Sequence, residues 1–274
     1  MSEQPPLPTA IARRDTPATR LNHYLTARSK NLAQYARNSI RPDTMIRLAV
    51  FEFANNEYLQ RCTPESVYAS LVTAAQLGLE PSGVRGEAYL VPFKGRCTLV
   101  PGWRGLIKLA LRSKAVKAFY SHLVYEGDEF VVKLGTEPAI HHVPLLNSGT
   151  EGREIIAAYA VALMENGAVD IEPMDRYELD KIRAFAASNR GGKDGPAYSQ
   201  WADQMYRKAP VRRLAKRLPL GDDYFLAAKL DELHEAGKPE AIGQFIDIPD
   251  EGNAETAPDE PTASPIQRAA ERAK

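Results

Sequence analysis

The chain has 274 residues, 44% of them hydrophobic and 26% charged, with 35 basic and 35 acidic side chains and a formal net charge of zero. That is the composition of an ordinary globular protein of one large domain with tails. It contains no run of about 18 apolar residues, so no membrane-spanning helix is expected. The N-terminal stretch MSEQPPLPTAIARRD lacks the apolar core of a signal peptide, and a cytoplasmic protein without a membrane partner is expected. Cys62 and Cys97 match no metal or redox spacing and read as reduced, buried small hydrophobes.

The zero charge conceals an asymmetry. From Asp231 onward there are eleven acidic and four basic residues, which leaves 24 acidic and 31 basic residues before it, a net of +7. The basic excess is clustered. Residues 85–117 hold eight Lys or Arg against Glu87 alone, and residues 176–217 hold eleven against four acidic residues. Two basic segments in a neutral whole suit a phosphate backbone.

In chain order, residues 1–20 are Pro-, Thr- and Arg-rich without a period and read as a disordered tail. Helices are predicted over about 21–37 and 43–60, the second from the spacing of Met45, Ile46, Ala49 and Phe53. Thr63-Pro64-Glu65 starts a helix that Gly78 ends. Ala88–Phe93 and Arg96–Pro101 form a hairpin around Lys94-Gly95, and a helix follows over Gly105–Ser113. Two more hairpins are predicted. One joins Phe119–Tyr125 to Phe130–Leu134 across Glu126-Gly127-Asp128; the other joins Ile155–Met164 to Ala168–Glu172 across Asn166-Gly167. Helices return at about 175–187 and 199–217, separated by a flexible stretch Asn189–Pro196. The order predicts an α+β fold, an antiparallel hairpin sheet flanked by helices. The core domain is placed at 21–236. Residues 237–274 read as an acidic disordered tail with a short helix at Gln267–Lys274, suited to a partner contact or to competing with a phosphate backbone for the basic surface.

Two constellations carry the functional expectation. In the first, Arg104, Lys108 and Arg112 recur every four residues on one helix face beside Trp103, with Lys94 and Arg96 on the preceding hairpin. Such a stripe can track phosphates while Trp103 stacks on a base; it is equally the solvated face of an amphipathic helix with Trp103 in the core. In the second, Val211, Leu214, Ala215 and Leu218 share one helical face and Arg212, Arg213, Lys216 and Arg217 the other, after Arg207 and Lys208. Six cations between 207 and 217 have no acidic residue among them, and like charges repel at this spacing. The segment reads as a DNA contact on an exposed face rather than a solvated face or a membrane-surface helix, which would need a larger apolar side. Trp201, with Met205 at i+4, reads as a core anchor.

Enzyme signatures are scarce. No Walker-type phosphate loop is present; Gly191-Gly192-Lys193 continues with Asp194. His141-His142 lacks a third ligand at metal spacing and reads as structural. Asp128, Glu129, Glu154 and Glu172 would have to converge to hold Mg²⁺ for a nuclease.

Several linked blocks resemble the RecT family of phage-type single-strand annealing proteins. They run from about Asp43 to Pro219 and include Gln76-Leu77-Gly78-Leu79-Glu80-Pro81, Ala88-Tyr89-Leu90-Val91-Pro92-Phe93, Gly102-Trp103-Arg104-Gly105-Leu106-Ile107 and Glu126-Gly127-Asp128-Glu129-Phe130. Trp201, Met205, Lys208, Arg212-Arg213-Leu214, Lys216 and Leu218-Pro219 continue the pattern. One departure is Lys208-Ala209-Pro210, where the family more often has Lys-Thr in an uninterrupted helix; Pro210 is expected to kink or restart it. The resemblance implies a non-enzymatic protein that binds single-stranded DNA and the annealed duplex and works without nucleotide hydrolysis. It implies self-assembly into a ring or helical filament beside a 5′→3′ exonuclease or a host single-strand binding protein. No cofactor is implied, and Mg²⁺ enters only as a modulator of assembly without a dedicated site. A metal-dependent nuclease and an RNA-binding nucleoprotein without annealing activity are the alternatives.

Overall fold

The computed structural model describes residues 16–36, 40–146, 150, 152–189 and 191–239. The expected tail beyond 239, with its helix at Gln267–Lys274, lies outside the described residues, as does 1–15. Eight helices and seven strands order the described chain as α1 (Pro17–Ala27), α2 (Ser29–Tyr35), α3 (Pro42–Ala54), α4 (Pro64–Leu77), β1 (Ala88–Phe93), β2 (Arg96–Pro101), α5 (Trp103–Arg112), β3 (Val116–Tyr125), β4 (Glu129–Lys133), β5 (Ala139–Val143), β6 (Ile155–Met164), β7 (Val169–Asp175), α6 (Arg176–Ser188), α7 (Pro196–Ala215) and α8 (Asp222–Glu235). This is the expected α+β class, with all strand ladders antiparallel.

Local chemistry explains most boundaries. Thr16 caps α1 by accepting from the Thr19 amide at 3.2 Å, so the first helix begins four residues before the expected one. It breaks at Arg28, which separates α1 from α2. The expected 43–60 helix stops at Ala54 because the Asn56 carboxamide oxygen accepts from the amides of Tyr58 and Leu59, diverting the chain into a short 3₁₀ turn at Leu59–Arg61. Thr63 caps α4 and Gly78, at φ 64°, closes it. Lys94 and Gly95 both take positive φ, as a two-residue hairpin turn requires.

The middle of the chain pairs differently from expectation. β3 pairs with β6, and β6 with β7, in a three-stranded sheet of order β3-β6-β7; β4 pairs with β5 in a separate hairpin. The Glu126-Gly127-Asp128 turn therefore joins two sheets instead of closing one hairpin. Asp128 accounts for the redirection: its carboxylate takes the Tyr125 amide at 2.9 Å and the Leu145 amide at 2.8 Å, and it holds Arg153 and His142. Phe130, Val132 and Ile140 then pack on Tyr159 and Val161.

β6 is the centre of the fold. Its residues alternate between faces, with Ala158, Ala160 and Ala162 toward the helices and Ala157, Tyr159 and Val161 toward the β4–β5 hairpin. The three alanines leave room for α7, which packs across β3, β6 and β7. On its other side α7 meets α5, and α8 packs on α5 and β2. Leu71, Leu79, Leu106, Val211, Leu214 and Tyr224 share the main core. Pro210 sits inside α7 with helical dihedrals, and the expected kink is not there. The helix bends at Trp201, whose φ of −135° and ψ of 39° are non-helical. Arg207, Lys208 and Arg212 thus belong to one continuous helical segment, in which Pro210 merely deprives the Tyr206 carbonyl of its i+4 donor.

Candidate nucleic-acid interface

The two basic segments meet where α5 packs on α7, but most of their cations are used internally. Lys208 is only 4% exposed and pairs with Asp231, itself 1% exposed. Arg212 binds Asp231 and Glu235, each at 2.7 Å. Arg213 contacts Glu178 at 2.7 Å and Glu172 at 3.3 Å. Arg217 clasps Glu172 and Asp170, and the exposed Lys216 lies 3.6 Å from Glu232. The expectation of uncompensated cations is overturned for Lys208, Arg212, Arg213 and Arg217, and that of an exposed face for Lys208 and Arg212, while the paired side chains of Arg213 and Arg217 stay 41% and 45% exposed. The missing acids come from β7, α6 and α8, elements remote in sequence. Burial alone would disfavour charge at Asp231, yet Lys208 and Arg212 hold its carboxyl below the usual carboxylate range.

The α5 stripe divides in the same way. Arg112 donates to the Leu77 carbonyl at 2.9 Å, closing the C-terminus of α4, and reaches Asp223 at 3.3 Å. Lys108 meets Glu87 at 2.6 Å, and this buried carboxylate also accepts from the Glu80 amide at 2.9 Å and lies 3.8 Å from Arg85. Lys94 and Arg96 are exposed at the hairpin tip. Six-residue strands rising about 3.4 Å per residue put that tip roughly 17 Å from the end that carries Trp103, so the fold does not bring them into one site.

What remains is compact. Arg104 and Arg207 have no carboxylate partner among the described residues. Their guanidinium carbons lie 5.4 and 5.9 Å from the Trp103 ring centroid, so two cations converge on one half-buried indole. The indole N–H donates to Gln204 at 2.7 Å, which fixes the ring against α7. Arg207 donates to the Ser121 carbonyl at 3.0 Å, and the Ser121 hydroxyl returns a bond to the Arg207 carbonyl at 3.0 Å, locking α7 to β3. Next to this anchor, the exposed Tyr120 and His122 meet edge to face at 5.7 Å. Partial burial of its ring, with Arg207 and then His142 nearby, lowers the His122 imidazole from its ordinary value. On the opposite flank Tyr89 and Arg104 close over Gly86, where a Cβ would come 3.1 and 3.6 Å from them. Sequence reasoning singled out Trp103, Arg104 and Arg207 but not their meeting, which joins residues a hundred positions apart. Trp201, expected in the core, is 61% exposed where α7 bends.

The Gly102-Trp103-Arg104-Gly105 segment owes its place to close backbone contact. The Gly102 amide donates to the Glu87 carbonyl at 2.9 Å. A Cβ on Gly105 would fall 2.0 Å from that same oxygen, and one on Gly102 would fall 2.2 Å from the Gly86 carbonyl. Gly105→Ala should therefore destabilise the protein by about 1–3 kcal/mol, because the obstacle is backbone. A urea-unfolding midpoint equal to the parent's would show that α5 can lift off β1 without cost.

Among the described residues, the carboxylates considered for a metal site do not gather into a group of three that could hold an ion. Asp128 is committed to Arg153, His142 and two amides, Glu172 to Arg213 and Arg217, and Glu129 lies 3.5 Å from His141. Glu154 is exposed, with its carbonyl accepting from the Glu126 amide. His142 bridges Asp128 and the Tyr159 hydroxyl at 3.1 Å each, a structural role. Burial opposes ionisation of Asp128, but the amides of Leu145 and Tyr125 and then Arg153 and His142 hold its carboxyl well below the usual range. A carboxyl with a depressed folded pKa stabilises the fold above the unfolded value of about 3.9, and that contribution is lost as pH falls through the folded value. Unfolding free energy should thus decline below about pH 4, and Asp128→Asn should flatten that decline in urea titrations at a series of pH values. An unchanged slope would place the acid sensitivity elsewhere.

The sequence defines a class, the single-strand annealing proteins of homologous recombination. Residues 43–242 match the RecT family, and the chain belongs to it. It is 33% identical over 198 residues to Protein RecT of Escherichia coli (strain K12), covering 69% of this chain and 71% of that protein. A shorter similarity, 33% over 86 residues, covers 31% of this chain and 30% of the uncharacterized protein YqaK of Bacillus subtilis (strain 168). Among the described residues no helix is long and apolar enough to cross a membrane.

Proposed function

We propose that the protein binds single-stranded DNA through the surface around Trp103, Arg104 and Arg207 and anneals complementary strands without nucleotide hydrolysis or bond cleavage. One observation carries this reading: two arginines without carboxylate partners among the described residues flank an indole, while most other cations of the same segments are paired with acids of the fold. Annealing requires phosphates to be neutralised while base edges stay free to pair. Arginine supplies the first, with counterion release favouring binding, and an aromatic face stacks on any base without reading it. No dedicated cofactor is needed, and Mg²⁺ is assigned at most a modulating role in assembly. The protein is placed in the cytoplasm, self-assembled on DNA as a ring or filament, beside an exonuclease or a single-strand binding protein.

Two labelled complementary oligonucleotides mixed with the purified protein, without ATP and with or without EDTA, test this. Accelerated duplex formation at full strand length in both conditions is the expected result. Metal-dependent shortening would replace the reading with a nuclease, and binding without accelerated pairing would reduce it to a nucleoprotein. Binding should also weaken with salt and vary little among mixed-sequence oligonucleotides of equal length.

A further inference from the structure

A groove of 790 Å³ runs between α6 and α8, lined in part by the paired charges of Arg212, Arg213, Glu178 and Glu235 and otherwise by apolar side chains. Ile182, Leu233 and Ala236 line it, and two large aromatics of α6 stand open to solvent there, Tyr177 at 75% and Phe185 at 59% exposure. Exposed aromatics gathered beside a groove mark a binding surface more often than scattered apolar residues do. Lys181 on the rim has no carboxylate partner among the described residues.

The chain itself supplies a matching occupant. α8 ends in a left-handed turn at Gly237, and the Lys238 amide donates to the carbonyl of Leu233, a groove residue, at 2.9 Å. The described chain therefore stops, at Pro239, beside the groove. Within the next ten residues the sequence places Ile242, Phe245, Ile246 and Ile248; beyond them, Ile266 is the only large apolar residue before the end. Ile242, Phe245 and Ile246 stand at i, i+3 and i+4, the anchor spacing that a cleft between helices reads. Asp247 follows directly, with a charge opposite to that of Lys181. Six residues span at most about 20 Å, so Phe245 can reach the cleft from Pro239.

We infer that residues 242–248 dock intramolecularly in the α6–α8 groove, with Phe245 and Ile246 against Tyr177 and Phe185, so that the acidic residues after them are tethered to the α6–α8 side of the domain. The inference stands independently of where DNA binds.

Cross-linking in the full chain tests it. Lys181→Cys on the rim and Gln244→Cys in the tail keep every apolar anchor. The native thiols are buried, and burial raises both, Cys97 to about 12, which keeps them out of the reaction. Under mild oxidation the pair should form a disulfide within one chain. Adding Phe245→Ala with Ile246→Ala should slow it at least tenfold, and so should Tyr177→Ser with Phe185→Ser on the other side of the contact. Urea unfolding of each variant confirms an intact domain, and the two anchor sets check one another if one of them impairs folding. Rates unchanged by both anchor sets would overturn docking, as would no cross-link at all. A predominantly inter-chain disulfide would overturn the intramolecular assignment in favour of a second copy.

Discussion

Replacing Asp231 by alanine should cost the folded chain about 3–5 kcal/mol, the largest single effect expected outside the hydrophobic core. Asp231 is the shared counter-ion of Lys208 and Arg212, buried where α8 crosses α7. Removing it leaves two largely buried cations with Glu235, 2.7 Å from Arg212, as their remaining acid. Burial raises the Glu235 pKa and Asp231 raises it further, so with Asp231 present it is the less readily ionised of the two. Many domains have only 5–15 kcal/mol of total stability, and much of that would be lost. Asp231→Asn keeps the shape but only one of the two acceptor oxygens, its NH2 facing the other cation donor to donor, and should lie between the parent and the alanine variant, closer to the latter. Chemical denaturation of the three proteins is the measurement. An alanine variant within 1 kcal/mol of the parent would show that the network is dispensable to α7–α8 packing. The same geometry changes the expectation for Arg212→Ala with Arg213→Ala. On an exposed face that pair of changes would leave stability almost untouched. Here Arg212→Ala strips Asp231 and Glu235 of a buried partner, so weakened DNA binding in this variant would not by itself distinguish a lost contact from a loosened fold.

The turn and cap chemistry was legible in the sequence because it is local. Thr63-Pro64, Gly78, Lys94-Gly95 and Asn166-Gly167 each act within a few residues, and each does what its residue types require. The pairing of β3 with β6 was not legible, because it depends on Asp128 drawing Tyr125, Leu145, Arg153 and His142 together from three separate stretches. The charge pattern misled for the same reason. Counting charge from Asp231 onward groups that residue with the acidic C-terminal stretch although the expected core domain runs to 236; it lies in α8, and Asp231, Glu232 and Glu235 face the cations of α7. The helical stripe Tyr224, Ala227, Asp231 and His234, all buried, was the available signal. A buried acid within such a stripe points to a buried cation elsewhere. A run of cations without acids among them thus locates charge along the chain but not its partners in space. In this fold the selection leaves Arg104 and Arg207 beside Trp103, as well as cations elsewhere, among them Lys94 and Arg96 at the β1–β2 tip and Lys181 on α6.

Removing both of those arginines should weaken single-strand binding and reduce its salt dependence while the fold persists. If each contacts one phosphate, Arg104→Ala with Arg207→Ala should lower the slope of log affinity against log salt by about 1.4, or about 0.7 per contact. Arg104 is exposed and donates only a long bond, 3.4 Å, to the Arg85 carbonyl, so its loss costs little structure. Arg207 also fastens α7 to the Ser121 carbonyl; Arg207→Lys keeps a charge but lacks the planar fork that stacks on an indole. The aromatic part separates by a second substitution. Trp103→Ala removes a stacking face worth about 1–3 kcal/mol per base, or about 5- to 150-fold in affinity, whereas Trp103→Phe keeps an aromatic face and loses only the bond to Gln204. Affinity should therefore fall in the order parent, Trp103→Phe, Trp103→Ala, while unfolding midpoints, measured on the same preparations, move far less between the last two. Fluorescence anisotropy with a labelled oligonucleotide at several salt concentrations reads both quantities. If the arginine pair and Trp103→Ala bind with the parent's affinity and slope, DNA lies elsewhere. The exposed cations Lys94 and Arg96 at the β1–β2 tip, far from Trp103, would then be the surface to mutate next.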